Sequence, residues 1–164
     1  REFFRVRTGT GCAGRGSART IRRQDCVLLI PTYVRPSAFE GVGVFAAEEI
    51  PAGTLIWRLD PAFDRLIHKD EVAGQPSSVQ EFLERYAYPY PHDPDYLVVE
   101  LDNGRFMNHC EQPNTRFDNP DAGFTRGAIA ADEELVCNYA EFDPGFAMLP
   151  GRIYNGALVT TLQA

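Results

Sequence analysis

The sequence lacks the features of several protein classes. It has no run of about 20 apolar residues, which a membrane-spanning helix needs, and its first residues have no apolar signal-peptide core. Four cysteines are present, none in a Cys-x-x-Cys pair: Cys12, Cys26, Cys110 and Cys137. This spacing disfavours a zinc knuckle and a disulfide framework, so we expect a reducing compartment. The 164 residues, 44% of them hydrophobic and 24% charged, are typical of one globular domain.

Basic residues are scarce over most of the chain. Residues 1–24 hold seven Arg and one Glu, whereas residues 25–164 hold nine basic and 22 acidic residues, within a net charge of −7. We predict that residues 1–24 form a basic, flexible arm, because their Arg are interleaved with Gly, Thr and Ser. A nucleic-acid arm and an added or upstream segment are the alternatives. The acidic remainder should attract basic protein segments and disfavours direct nucleic-acid binding.

The pattern from residue 25 onward predicts a mainly β fold, because short apolar, β-branched runs alternate with Gly and Pro turns. The predicted strands are residues 27–34, 41–47, 53–59, 96–102, 115–118, 124–130 and 134–139. Asn103-Gly104 directly follows one of these runs, which predicts a hairpin with a type I′ turn.

One segment has helical spacing instead. Ser78 and Glu81 are spaced as a capping box, and apolar residues recur at i, i+3, i+4 and i+7: Val79, Phe82, Leu83 and Tyr86. We therefore predict a short amphipathic helix that covers a sheet face. The prolines that follow prevent its continuation: Pro89, Pro91 and Pro94.

Three short patterns bring groups suited to a ligand. Residues 41–43 (GVG) would let backbone approach a ligand closely, but they lack the third glycine of a dinucleotide site. Residues 105–114 (RFMNHCEQPN) place Asn108 and His109 before a Pro-Asn turn, and residues 134–139 (ELVCNY) end a predicted strand in a tyrosine. Alone, each is also typical of an ordinary turn, a core histidine or a packed aromatic. Their order and spacing together favour a site.

In that order, the three patterns resemble the signatures of the SET-domain protein lysine methyltransferases: a GxG, an RFxNHSCxPN segment and an ELxxDY segment. The resemblance covers residues 27–142. It implies a SET-domain β-rich fold with one or few short helices. In this fold a C-terminal pseudoknot brings the second and third motifs together. It also implies a SET-like catalytic domain over residues 25–142 and a C-terminal extension over residues 143–164 that covers the cofactor or substrate site.

The resemblance implies an enzyme that transfers a methyl group from S-adenosyl-L-methionine to the side-chain amine of a lysine in a basic protein, leaving S-adenosyl-L-homocysteine. Tyr139 would be catalytic. The implied cofactor-binding residues are Gly41, Val42, Gly43, Arg105, Phe106, Asn108, His109 and Phe142. Cys137 and Phe106 would form the substrate channel and set product specificity, and no metal is implied.

The chemistry of such a site is mostly positioning and electrostatics. A lysine amine attacks only when neutral, yet its pKa in water is about 10.4. A narrow apolar channel and the cofactor's positive charge would lower that pKa, and solvent could take the proton. Aromatic candidates for the channel wall, for which core packing is the more common role, are Phe63, Phe106, Tyr86, Tyr88 and Tyr90.

The chain departs from the family signatures at several positions. Cys110 and Glu111 replace Ser-Cys, and Asn138 replaces the Asp before the tyrosine. Cys137 is smaller than the Phe or Tyr that many relatives carry there, so we expect room for more than one methyl group. No zinc-binding cysteine cluster follows Tyr139, so residues such as Phe142 or Phe146 should cap the adenine.

Three alternatives come from other classes of function. Asn108, His109 and Cys110 have the residue types of a cysteine nucleophile system, but neighbours on an extended strand point to opposite faces. Metal binding by His109, Cys110 and Cys137 lacks a recurring ligand spacing. A non-catalytic SET-like module that binds basic peptides is the main competitor. The minimal size resembles bacterial and viral SET proteins, which favours a cytoplasmic location, and a homodimer is one arrangement that could complete a substrate cleft.

Overall fold

The computed structural model describes residues 28–60, 62–148, 153–154 and 157–158. These ranges include the three motifs. The predicted basic arm, Cys12, Cys26 and most of the predicted extension beyond residue 148 lie outside them. The predicted domain boundaries therefore stay predictions.

The described residues form short β-strands, two α-helices and two 3₁₀ helices. The strands are Thr32–Pro36 (β1), Val42–Ala46 (β2), Leu55–Arg58 (β3), Arg65–His68 (β4), Ala87–Pro89 (β5), Tyr96–Val99 (β6), Asn108–His109 (β7), Thr115–Asn119 (β8), Ala122–Thr125 (β9), Glu134–Cys137 (β10), Ile153–Tyr154 (β11) and Ala157–Leu158 (β12). The α-helices are Lys69–Ala73 (α1) and Ser77–Tyr86 (α2), and the 3₁₀ helices are Asn103–Phe106 and Tyr139–Glu141. None of the described helices is long and apolar enough to cross a membrane.

The strands are arranged in several small sheets. The largest has four strands in the order β1-β2-β10-β7, two sheets have three strands each (β3-β9-β8 and β4-β6-β5), and β11 pairs with β12. Within the four-stranded sheet, β7 and β10 run parallel, whereas β2 is antiparallel to both β1 and β10. A parallel pair needs a long crossover connection, and here the β8–β9 hairpin lies within it.

The core lies where these sheets pack together. Among the described residues, five aliphatic side chains larger than alanine are completely buried: Val44, Ile56, Val98, Ile129 and Leu135. Each contributes roughly 1.5–3 kcal/mol of hydrophobic stabilisation relative to an exposed position. Strand β2 is buried from Gly43 to Ala46, because it lies between β1 and β10. The GxG motif thus leads directly into a buried central strand.

The predicted β-rich class with few short helices is confirmed. Each predicted strand overlaps an observed one, with bounds that differ by up to five residues, whereas β4, β5, β7, β11, β12 and α1 were not predicted. Strands β4 and β5 both pair with β6. Their sequences, RLIH and AYP, show little of the apolar–polar alternation that is typical of strands. They are strands because they pair with β6.

The predicted type I′ hairpin at Asn103-Gly104 is wrong. A type I′ turn needs positive φ at both central residues. In the described part of the chain, positive φ occurs only at Gly41, Gly53 and Asp132. Asp102 instead accepts a hydrogen bond from Gly104 N at 2.7 Å and caps the 3₁₀ helix that starts at residue 103.

The amphipathic helix is confirmed as α2, but its predicted capping box is wrong. The helix begins at Ser77 after Pro76, and no side chain caps it, so Ser78 lies inside the first turn. Of the apolar stripe, only Leu83 is buried, whereas Val79 and Phe82 are exposed. Pro76, with its fixed φ, starts this helix in place of a side-chain cap.

Candidate active site

The second and third motifs meet through the parallel pairing of β7 with β10. Asn108 is opposite Val136 and His109 is opposite Cys137. Cys110 N extends the contact by donating to the carbonyl of Cys137 at 2.9 Å. The two motifs, far apart in sequence, therefore form one backbone platform.

Asn114, the last residue of the second motif, reinforces this platform. Its Oδ1 accepts from Val136 N at 3.0 Å, and its Nδ2 donates to Glu134 O at 2.8 Å. The side chain thus bonds the backbone of β10 as a neighbouring strand would, with one acceptor and one donor. Sequence reasoning assigned it only a turn.

Asn108 connects the platform to the GxG loop. Its Nδ2 lies within hydrogen-bonding distance of Glu40 O (3.2 Å), Val42 O (3.0 Å) and Glu134 Oε1 (2.9 Å). Glu134 also accepts from Ser37 Oγ. This network packs directly on Gly43, where a Cβ atom would overlap Glu134 Oε1. Gly41 has φ of +49°, which favours glycine at the first GxG position.

His109 is buried and faces Tyr139. Its Nδ1 accepts from Tyr139 N at 3.2 Å, and its ring lies 5.2 Å from the Tyr139 ring and 4.8 Å from the Phe146 ring. Burial lowers the pKa of His109, so the imidazole is neutral at pH 7 and can act as that acceptor. Because Nδ1 is engaged by Tyr139, it does not serve Cys110 as a base.

Tyr139 is held at both ends. Its hydroxyl donates to Met107 O at 2.8 Å, and its backbone begins the 3₁₀ helix Tyr139–Glu141. Asn138 caps that helix by accepting from Ala140 N at 3.0 Å. Asparagine and aspartate are comparable caps, so Asn138 preserves the local structure despite its departure from the signature.

Glu141 was not predicted and anchors the same helix. Its carboxylate accepts from Phe117 N at 2.6 Å and forms an ion pair with Arg126. Arg126 Nε in turn donates to Thr115 O at 2.8 Å. These contacts attach the segment after Tyr139 to β8.

A cavity of about 380 Å³ lies over this platform, within the size range of small-molecule sites. Most of the predicted site residues line it: Val42, Arg105, Phe106, Asn108, Cys137, Tyr139 and Phe142. Gly41, Gly43 and His109 are not in its lining, although Gly43 lies against Asn108 and Glu134, and His109 contacts Tyr139. Cys137 is 3% exposed, and burial raises the pKa of its thiol well above the usual value.

Aromatic rings form much of the cavity wall. Phe142 packs on Tyr88 at 5.0 Å and on Tyr139 at 5.7 Å, and Tyr86 packs on Phe106 at 5.7 Å. Of the five channel candidates, Tyr86, Tyr88 and Phe106 line the cavity. Phe63 and Tyr90 do not.

Sequence reasoning missed several lining residues, among them the buried Trp57 and Glu100. Trp57 is 4% exposed, packs against Phe117, and has an indole Nε1 with no hydrogen-bond partner in the described part of the chain. Glu100 is 8% exposed and accepts from Tyr88 OH at 3.1 Å. A carboxylate inside the apolar run YLVVELD was the available signal for Glu100. Among the described residues, no three His, Cys, Asp or Glu side chains are placed to hold a metal ion.

The fold and the site together define a β-rich domain with a ligand cavity over two paired motif strands. A sequence model of the SET domain matches residues 41–140. The chain belongs to the SET-domain family, which includes protein lysine methyltransferases. A search of curated proteins returned no significant match.

Solved structures with the same fold include two of the Polycomb Repressive Complex 2 of Chaetomium thermophilum. One is a humanized mutant bound to an inhibitor, with 22% identity, a TM-score of 0.52, and coverage of 71% of this chain and 16% of that chain. The other is an apo form, ctPRC2, with two substitutions in Ezh2. It is 22% identical, with a TM-score of 0.54 and coverage of 71% of this chain and 16% of that chain. A candidate histone methyltransferase of Plasmodium falciparum is 21% identical, with a TM-score of 0.49 and coverage of 67% of this chain and 93% of that chain.

Proposed function

We propose that this protein is an S-adenosylmethionine-dependent protein-lysine N-methyltransferase that acts on basic protein segments. The observation that carries the proposal is that Asn108 and Tyr139 line the same cavity. The β7–β10 pairing brings together the two motifs that contain them. A cavity with aromatic walls suits a long alkyl side chain that ends in a nitrogen.

The residues present fit a cofactor with a sulfonium cation. Carboxylates and aromatic faces both attract cations, and the cavity lining offers Glu84 and Asp143 together with Tyr88 and Phe142, whereas Glu40 is paired with Arg85. Asn108 is also suited to hold an amine. Its Nδ2 is engaged by three acceptors, whereas its Oδ1 accepts no hydrogen bond within the described ranges. When bound, S-adenosylmethionine would supply the methyl group.

The aromatic contacts suggest which residues close each part of the cavity. Phe146 packs on His109, so we assign it to the cofactor side. Phe142 is predicted from the sequence as a cofactor residue, but its contacts with Tyr88 and Tyr139 favour a place between the cofactor and the substrate. Gly41, Gly43 and His109 would contribute backbone to the cofactor site.

Tyr139 would orient the substrate amine. Its hydroxyl donates its proton to Met107 O, which fixes the direction of the hydroxyl in the cavity wall. Cys137 in the same wall is small, so multiple methylation stays our expectation. The acidic side chains at the cavity would favour the approach of a basic segment.

The test is cofactor binding followed by methyl transfer. Calorimetry would measure binding of S-adenosylmethionine and S-adenosylhomocysteine, and a radiolabelled assay would measure transfer to a lysine-rich peptide. We expect Tyr139→Phe to lower transfer roughly 10²-fold through loss of orientation while cofactor binding persists. The chain carries a single lysine, Lys69, so Lys69→Arg removes any background from self-modification.

Tyr33→Phe is the matched control, because it also removes a hydrogen-bonded hydroxyl, here on β1 and outside the cavity lining. It should leave transfer unchanged. Absence of cofactor binding in the intact protein would refute the proposal. Binding without Tyr139-dependent transfer would favour a non-catalytic module for basic peptides.

A further inference from the structure

Glu100 is a buried carboxyl in the wall of the cavity that also contains Tyr139. It directly follows β6, is 8% exposed, and shares the cavity lining with Cys137. None of the three sequence motifs contains it. Charged side chains are rarely this buried without an ionic partner, so its position calls for a physical reason.

The one hydrogen bond that Glu100 makes in the described part of the chain engages only one of its two carboxyl oxygens. Oε1 accepts from Tyr88 OH at 3.1 Å, and Tyr88 is linked to Tyr139 through the ring of Phe142. Oε2 packs against Gly104, where a Cβ atom would overlap it. In the described part of the chain, no donor reaches Oε2. A ligand donor entering the cavity would find this acceptor unused.

The groups around Glu100 disfavour its charge. Asp102 and Asp64 repel a carboxylate there, and Arg105 only partly offsets them. Tyr88 and Cys137, the other titratable neighbours, are themselves buried, and burial first, then the charge of Glu100, raises the pKa of each well above its usual value. Burial, Asp102 and Asp64 together raise the pKa of Glu100 to about 8. The Asp102 side chain is held in place by hydrogen bonds from Leu28 N at 2.6 Å and Gly104 N at 2.7 Å.

A carboxyl of this kind suits proton transfer from an ammonium group. General bases work best when their pKa lies near the operating pH. A desolvated ammonium is a stronger acid than one in water. When the ammonium gives its proton to a carboxylate in an apolar channel, two charged groups become two neutral ones, and the site no longer has to solvate either charge.

We propose that Glu100 binds the substrate ammonium group in the cavity and accepts its proton through Oε2. This inference rests on the proposed function. One N–H bond of the ammonium breaks and one O–H bond forms on Oε2, while the electron pair of the N–H bond stays on nitrogen as the lone pair that attacks the methyl group. The proton leaves to solvent after the product departs.

The pH dependence of kcat/KM tests this step. In the wild type, kcat/KM should rise with a midpoint near pH 8 and then level off. In Glu100→Gln, it should be about 10²-fold lower at pH 7.5 and continue to rise toward the pKa of free lysine, because only solvent can then take the proton. Glu48→Gln, an exposed position outside the cavity lining, removes the same charge and should keep the wild-type profile.

Two further measurements remain informative if Glu100→Gln folds poorly. Carbon-13 NMR of the side-chain carboxyls in the free protein should show Glu100 titrating near pH 8. Tyr88→Phe keeps the carboxyl but removes the hydrogen bond that lowers its pKa, so it should move both the NMR and the kinetic midpoint to higher pH.

Several results would overturn the assignment. They are an unchanged rate and profile in Glu100→Gln, an equal loss of rate at every pH, and a Glu100 carboxyl that titrates near its ordinary value. Cofactor binding separates the two proposals. If the wild type neither binds S-adenosylmethionine nor transfers methyl groups, the proposed function fails and this inference with it. If the wild type does both and Glu100→Gln matches it, only the inference fails.

Discussion

Gly43 has no room for a side chain, which makes it a sensitive residue of the site. We expect Gly43→Ala to lower the free energy of unfolding by about 1–3 kcal/mol, because the new methyl group would displace Glu134 from Asn108 and Ser37. Urea unfolding would measure the loss, and calorimetry would show weaker cofactor binding. Gly127→Ala is the control, since a Cβ atom there meets nothing within 4 Å. Equal stability of the two variants would contradict this account.

Single residues were predictable from the sequence where a motif marks them. Asn108, His109 and Tyr139 were found because their order along the chain resembles family signatures. Trp57 and Glu100 were not: Trp57 has no local pattern that marks it, and the only signal for Glu100 is a carboxylate inside an apolar run. Their place in the cavity wall depends on how separate sheets pack.

Between elements, Asn114 is the side chain that joins the second motif to β10. We expect Asn114→Ala to lower the free energy of unfolding by about 1–3 kcal/mol, because Val136 N and Glu134 O would lose their partners. Chemical unfolding of the variant and the wild type would measure this loss of free energy.

Asn119→Ala offers a comparison within the same hairpin. Asn119 is exposed, and its side chain accepts only from Asp121 N at 2.9 Å. Asn119→Ala should therefore lower the free energy of unfolding by less than Asn114→Ala does. An equal loss of unfolding free energy in Asn114→Ala and Asn119→Ala would show that β10 does not depend on the hydrogen bonds of Asn114.

The elements that sequence reasoning found are those with their own pattern, such as β2, β10 and α2. Among the elements it missed, β4 and β5 exist through their shared partner β6. The predicted type I′ turn at Asn103-Gly104 was wrong because a side-chain contact, and not the local turn preference, decides the conformation there. Asp102, which sequence reasoning placed inside a strand, uses its side chain to cap a 3₁₀ helix instead.

For the whole molecule, buried carboxyls determine how stability varies with pH. The pKa of Glu100 is raised from 4.5 to about 8, and that of Asp64 from 3.8 to about 6, mainly by burial. The folded state therefore binds more protons than the unfolded state between these values, so the free energy of unfolding should fall as pH rises from about 5 to 8. His109 acts in the opposite sense, since its lowered pKa costs stability below pH 6.5.

Thermal unfolding at several pH values would test this dependence. We expect Glu100→Gln to flatten the fall between pH 6 and 8 and to be more stable than the wild type at pH 8. Glu48→Gln should follow the wild-type curve. A steep fall that persists in Glu100→Gln would assign the effect to other groups.

The short β7–β10 ladder also determines the order in which the molecule can assemble. His109 and Tyr139 are 30 residues apart in sequence, and the β8–β9 hairpin that lies between them closes over a much shorter loop. Loop closure over more residues costs more entropy and slows folding. The hairpin can therefore be in place before the two motifs meet. Ligand affinity would then be the last property that a refolding chain acquires and the first that local opening removes.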